Sequence, residues 1–167
     1  MKNTLASILL GSNQGDSRAV FEKTHEQLTV RCGTIVKKSA LYETEPWGFE
    51  SNSWFLNQVV LLDSFLPANE LLNVLHQIEA DFGRIRTTEN GYSSRIIDLD
   101  ILYFGNEIQH NEQLKIPHPR LHLRKFTLLP LCEIAPDFVH PALRKTNKML
   151  LEELADNNVV RKLDNTF

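Results

Sequence analysis

Between Pro67 and Gly83, Leu71, Leu72, Leu75, Ile78 and Phe82 recur at helical spacing, whereas residues 34–45 and 54–64 upstream are rich in β-branched and aromatic residues and 84–94 downstream are polar and turn-like. Proline suits the start of a helix and glycine its end, so both ends of this helix are marked. Upstream, residues 4–10 read as a buried strand and Gly11 and Gly15 frame a turn. Asp16 or Ser17 then caps a helix supported by Val20 and Leu28 that ends near Gly33. Residues 34–45 and 54–64 read as two strands separated by a loop carrying Pro46, Trp47 and Gly48. Arg95 to Phe104 is a further strand, followed by the turn Gly105-Asn106. The resulting order, β-α-β-β-α-β, predicts an α+β, ferredoxin-like core: an antiparallel sheet with two helices on one face. Beyond it, residues 106–121 read as extended and irregular, 122–134 as helical up to a break near Pro130, and 145–156 as a last amphipathic helix. These C-terminal helical and extended additions elaborate the core.

A chain of 167 residues holds one ordinary core and is too short for two, which predicts a single domain over 1–167. With 42% apolar and 23% charged residues the composition is that of a folded protein. The formal charge of −3 argues against a generic nucleic-acid binder, so any anion site must be local. No segment approaches the length of a bilayer span. The apolar run at residues 5–10 is short, is followed at once by a polar stretch and lacks a small-residue cleavage pattern, which favours a first strand over a secretory signal. A cytoplasmic monomer is the expectation. Cys32 and Cys132, a hundred positions apart with no C-x-x-C pattern, read as two buried free thiols.

The strand from Arg95 to Leu102 carries Asp98 and Asp100 at i and i+2, so both project from one side of the sheet, roughly 7 Å apart. Asp is disfavoured in strands and the two charges repel, so the pair calls for a compensating cation. Hard oxygen ligands at this separation suit one or two Mg²⁺ ions bridging a triphosphate; the alternative is an amphipathic strand that shows two acids to water. Arg84, Arg86 and Arg95 surround the same strand and loop, and Lys115, His118, Arg120, His122, Arg124 and Lys125 form a second cluster without an acid. Either cluster alone reads as solvated surface; together, beside paired carboxylates, they read as a polyanion site. Asn57 is an amide inside an apolar strand, able to read the edge of a heterocycle or to hold a neighbouring loop's backbone. The loop from Thr44 to Phe49 either lines a flat ligand or covers the core. The chain has no G-x-x-x-x-G-K-[ST], G-x-G-x-x-G, G-x-S-x-G or H-E-x-x-H pattern, and His76 is placed on the outer or boundary face of its helix.

Taken in order, Gly11-Ser12-Asn13, Tyr42-Glu43-Thr44 with Pro46, Phe55-Leu56-Asn57, Glu79 with Gly83-Arg84-Ile85-Arg86, Arg95-Ile96-Ile97-Asp98-Leu99-Asp100-Ile101, and Ile116-Pro117-His118 with Arg124-Lys125-Phe126 resemble the 6-hydroxymethyl-7,8-dihydropterin pyrophosphokinases of folate biosynthesis, over residues 5–141. The resemblance implies transfer of pyrophosphate from ATP to the pterin hydroxymethyl group, with release of AMP. It implies that Asp98 and Asp100 hold two Mg²⁺ ions and that Arg84 and Arg95 grip the phosphates. It further implies that Thr44, Pro46, Trp47, Phe55, Asn57 and Phe126 meet the pterin, and that Glu79, Arg86, Tyr92, Ile101, His118 and Arg124 attend the nucleotide or its phosphates. The chain departs from the family at Tyr92-Ser93-Ser94, where many members have Trp-Gly-Pro, at Thr87, where some have a basic residue, and at Pro119, where others have an aromatic. Rival readings are a ferredoxin-like sensing module, a metal-dependent phosphotransferase with another small acceptor, and a structural or partner-binding role.

Overall fold

The computed structural model describes residues 2–45, 54–83 and 96–164. Along the chain these form β1 (Thr4–Ser12), α1 (Ser17–Arg31), β2 (Gly33–Lys38), β3 (Tyr42–Thr44), β4 (Phe55–Ser64), α2 (Ala68–Asp81), β5 (Asp98–Phe104), β6 (Gln109–His110), β7 (Lys115–Ile116), a 3₁₀ turn at Leu121–Leu123, α3 (Lys125–Ile134), α4 (Asn147–Glu153) and β8 (Val160–Lys162). The main sheet runs β5-β1-β4-β3-β8, with β2 also paired to β4, so β2 and β3 lie one after the other along the same side of β4. Every one of these pairings is antiparallel. The β-α-β-β-α-β order read from the sequence is present, and the fold is ferredoxin-like.

Strands β1 and β4 are apolar on both faces because helices cover both. Ile8 and Leu10 with Val60, Leu62, Leu99 and Ile101 meet Phe21 and Leu28 of α1 and Leu71, Leu75 and Ile78 of α2. The intervening Leu9, Val59 and Leu61 turn to the other face and meet Leu128, Leu131 and Ile134 of α3 and Leu150 of α4. Two cores thus share one sheet, and each fully buried Leu or Ile contributes roughly 2 kcal/mol. The helices expected on one face are α1 and α2; α3 and α4 add a third layer opposite them.

Local sequence accounts for the main boundaries. Asp16 accepts from the Ala19 N–H at 3.2 Å and caps α1. Pro67 precedes α2, and Gly83, with φ of 86°, follows its end. At Gly33 the backbone passes so close to β4 that a Cβ would lie 2.1 Å from the Asp63 carbonyl oxygen, so only glycine fits where α1 turns into β2.

Several readings are corrected. The strand expected over 34–45 is split, because the Ser39 hydroxyl accepts the Val59 N–H at 3.0 Å in place of a carbonyl. Lys38 faces Val60 whereas Tyr42 faces Asn57, so four residues span three on β4 and an extra residue is accommodated. The strand expected from Arg95 begins at Asp98. Helix α3 starts at Lys125 and continues through Pro130, which is buried with Leu131 and Ile134; that packing offsets the hydrogen bond the proline removes. The last helix is shorter than 145–156: Thr146 caps it through the Met149 N–H at 3.1 Å, and it ends at Glu153. The stretch 106–121 contains the β6–β7 hairpin. Cys32 is buried and Cys132 is half-buried; both are free, and burial pushes both thiols up to about 11. His76 is half-buried, at the helix boundary as expected. No helix among the described residues is long and apolar enough to cross a membrane.

Candidate active site

The register of three strands assembles the site. On β1, Gly11 faces Asp98 of β5 on one side and Asn57 of β4 on the other, and Asn57 in turn faces Tyr42 of β3. One step away, Asp100 faces Leu9 and Phe55 faces Thr44. Directly opposed residues project to the same side, so Asp98, Asp100, Asn57, Phe55 and Thr44 share the face that carries α3. They lie at the margin of the second core, where Leu9 belongs both to that core and to the site.

These five residues line a cleft of about 730 Å³. Leu9 and Gly11 form part of its floor, Arg120, Leu123, Arg124 and Phe126 come from the segment leading into α3, and Glu45, Leu154, Ala155, Asp156 and Asn158 complete the lining. The volume falls within the range of about 300–1,000 Å³ typical of small-molecule sites, well beyond the needs of a single ion. The Arg124 guanidinium lies 5.5 Å from the centroid of the Phe126 ring, a cation–π arrangement that orders both side chains at the cleft.

Asn57 is buried, and its Nδ2 donates to the Tyr42 carbonyl at 3.4 Å. The amide therefore holds the backbone of β3, one of the two uses read from the sequence, while also lining the cleft. Glu79 is 1% exposed and accepts the Leu99 N–H at 2.9 Å. Leu99 stands between the two aspartates, so this buried carboxylate braces the strand that presents them. Ile101 points to the first core, on the opposite face from Asp100. His118 donates its backbone N–H to Leu102 at 2.9 Å, and its Nδ1 accepts from the Arg120 N–H at 3.1 Å. Burial lowers its pKa from 6.5 to about 4, helped by Arg124 and Arg120 and opposed by Asp98. The ring is thus neutral near pH 7 and, with Nδ1 accepting, carries its proton on Nε2.

Of the residues singled out from the sequence, the cleft gathers Thr44, Phe55, Asn57, Asp98, Asp100, Arg120, Arg124 and Phe126. Glu79, Ile101 and His118 stand outside the described lining, around β5. Pro46, Trp47, Arg84, Arg86, Tyr92 and Arg95 lie outside the described residues. Glu45 belongs to the loop read as a possible ligand lining, whereas sequence reasoning missed the whole contribution of residues 154–158; the only local signal there was Asp156-Asn157-Asn158, a turn-forming triplet.

Among the described residues no group of three or more His, Cys, Asp or Glu side chains is placed to hold a metal ion. Two carboxylates on one strand do fit Mg²⁺, which binds through one or two carboxylates while keeping water and substrate phosphates as its other ligands.

Known proteins share both the sequence and the architecture. The model of the 7,8-dihydro-6-hydroxymethylpterin-pyrophosphokinase (HPPK) family matches residues 7–136. A 2-amino-4-hydroxy-6-hydroxymethyldihydropteridine pyrophosphokinase of Porphyromonas gingivalis is 42% identical over 135 residues, covering 79% of this chain and 90% of its own length. The enzyme of that name from Bacillus subtilis is 42% identical over 136 residues, covering 79% of this chain and 78% of its own. A folic acid synthesis protein of Dictyostelium discoideum is 37% identical over 150 residues, and the chain spans 22% of its length. A crystal structure of Plasmodium falciparum HPPK-DHPS superposes with a TM-score of 0.75 at 19% identity, over 91% of this chain and 43% of that one, so the fold is shared. With the family model matching well over half of its residues, the chain belongs to the 7,8-dihydro-6-hydroxymethylpterin-pyrophosphokinase family.

Proposed function

We propose that this chain transfers pyrophosphate from ATP to the hydroxymethyl group of 6-hydroxymethyl-7,8-dihydropterin, that the reaction depends on Mg²⁺, and that Asp98 and Asp100 hold two such ions. The observation that carries the reading is the row Asp98–Gly11–Asn57: it sets a pair of carboxylates beside a buried amide in one cleft, with Phe55 and Phe126 in its walls.

The chemistry follows from what those groups can do. The pterin hydroxyl oxygen attacks the β-phosphorus and gives up its proton to solvent, the bond between that phosphorus and the oxygen bridging to the α-phosphate breaks, and AMP leaves with the electron pair. Phosphoryl transfer of this kind passes through a loose transition state, so alignment and charge neutralisation supply most of the acceleration. Magnesium, when bound, neutralises phosphate charge and lowers the pKa of a coordinated hydroxyl. Asn57 and Thr44 orient the heterocycle, and Phe55 and Phe126 enclose its faces. Arg124 and Arg120 offset phosphate charge at the cleft, and neutral His118 has an Nε2–H to donate. With its pKa near 4, His118 is too weak a base to take the hydroxyl proton at neutral pH. Arg84 and Arg95 as phosphate ligands, Glu79, Arg86, Tyr92 and Ile101 toward the nucleotide, and Pro46 and Trp47 toward the pterin complete the proposed site. The proposal also includes a single catalytic domain over 1–167, working as a monomer in the cytoplasm.

The test is AMP formation from ATP and Mg²⁺, with and without 6-hydroxymethyl-7,8-dihydropterin, beside the Asp98→Ala and Asp100→Ala proteins. AMP that requires the pterin and both carboxylates supports the reading. ATP binding without AMP overturns it in favour of a sensing module or of an enzyme with another acceptor.

A further inference from the structure

The family model stops at residue 136, yet the chain beyond it forms one side of the cleft. Residues 154–163 are fastened there along their length. The Asp156 carboxylate accepts the Lys125 N–H through Oδ2 and the Asn158 N–H through Oδ1, both at 2.9 Å. Val159 accepts from the Thr44 hydroxyl and donates to Glu45, both at 3.3 Å. β8 pairs with β3, Leu163 donates to the Leu41 carbonyl at 2.8 Å, and the Arg161 guanidinium lies 4.3 Å from the centroid of the Trp54 ring.

The Asp156 contact stands out because of where it lands. Lys125 is the first residue of α3, and the residue preceding it, Arg124, makes no side-chain cap. The first N–H groups of a helix have no partner within it and favour an anion, so a carboxylate from 31 residues further along the chain takes the role usually played by a local cap. The next residue is Phe126, in the cleft wall. Fixing the first turn of α3 fixes the direction of that ring, and the same carboxylate fixes the turn that brings Asn158 into the cleft lining beside it.

We propose that residues 154–159 are the closing wall of the acceptor-substrate pocket, and that Asp156 is a positioning residue that sets pterin affinity by fixing Phe126 and Asn158 in that pocket's lining. This inference rests on the pyrophosphokinase reading. Loss of Asp156 lets the first turn of α3 fray and detaches residues 156–158 from it, which loosens Phe126 and weakens stacking on a flat acceptor more than it disturbs ATP.

The experiment compares Asp156→Ala, Asp156→Asn and wild type by steady-state AMP formation, and by equilibrium binding of 6-hydroxymethylpterin followed through its own fluorescence. For Asp156→Ala the pterin KM and dissociation constant should rise about tenfold or more, while kcat at saturating pterin and the KM for ATP change less than about threefold. Asp156→Asn, which keeps one acceptor oxygen, should recover part of that loss and is the informative variant if the alanine protein does not fold. Unchanged pterin binding in both variants overturns the inference, as does a parallel loss of kcat and both KM values that tracks a fall in Tm. A wild-type chain that neither binds the pterin nor forms AMP overturns the functional reading itself, whereas an active wild type with indifferent Asp156 variants overturns this inference alone.

Discussion

Asp98 and Asn57 stand in one row of the sheet, with only Gly11 between them. Neighbouring strands lie about 4.8 Å apart, so the two backbones are separated by roughly 10 Å, and the residue at the midpoint offers no side chain. The open floor between carboxylate and amide is therefore a property of one glycine. A Cβ there would meet Asn57 Oδ1 at 3.6 Å, an ordinary contact, so the fold itself does not demand glycine. Gly11→Val should fold with a Tm within a few degrees of wild type while kcat/KM for the pterin falls by about tenfold or more. Calorimetry and steady-state kinetics on the same preparation check both halves; equal activity would mean that the row is not the binding floor.

Asp98→Asn and Asp100→Asn should each lower kcat by at least about a hundredfold, or some 2.7 kcal/mol of barrier, and raise the Mg²⁺ concentration needed for half-maximal rate. A magnesium titration of turnover, carried to saturation, measures both effects. Near-normal turnover in either variant would remove that carboxylate from the metal site.

Glu79 is buried behind the strand that bears the aspartates and bonds the backbone between them. Glu79→Ala should destabilise the protein by about 2 kcal/mol, because the Leu99 N–H loses its partner in a site closed to water. Glu79→Gln retains an acceptor oxygen and should be milder. Urea unfolding gives the stabilities, and activity under native conditions reports whether the brace also sets the spacing of the carboxylates.

His118 has a pKa lowered to about 4 by burial and by Arg124 and Arg120, while His25 is lowered by burial and Lys38, and His140 by burial and His122. In the unfolded chain these rings take up protons as pH falls through 6.5, and in the folded one they resist. The unfolded state then binds more protons, so stability falls as the pH drops from about 6.5 toward 4. His118→Gln, measured without Mg²⁺ or nucleotide, should lose less stability than wild type between pH 7 and pH 5, by an amount of the order of 1–2 kcal/mol. Parallel pH curves for the two proteins would show that the ring is not held neutral.

Much of this was legible because certain residues act locally. Pro67 and Gly83 mark a helix by their own backbone preferences, and two acids two residues apart on an apolar strand must share a face. What stayed hidden depends on partners distant in sequence. Ser39 breaks its strand because its hydroxyl reaches Val59, twenty positions away, and nothing in the neighbouring residues announces that bond. The extra residue that follows puts Tyr42 and Lys38 on opposite faces although strand alternation places them on one. Pro130 signals a helix break, yet its burial against the sheet keeps α3 intact. The three residues of β8 are too few to show a period, and their position follows from Asp156 and from pairing with β3.

Because both sides of the sheet are occupied, β1 answers to two different demands at alternate positions. Ile8 and Leu10 face the packing of α1 and α2, whereas Leu9 and Gly11 face the cleft. Natural variation along this strand should therefore differ between neighbours: Ile8 and Leu10 answer only to packing, Leu9 to both packing and cleft, and Gly11 to the cleft alone. A homologue that shifts its acceptor preference has room to do so at Gly11 without rebuilding either packed layer.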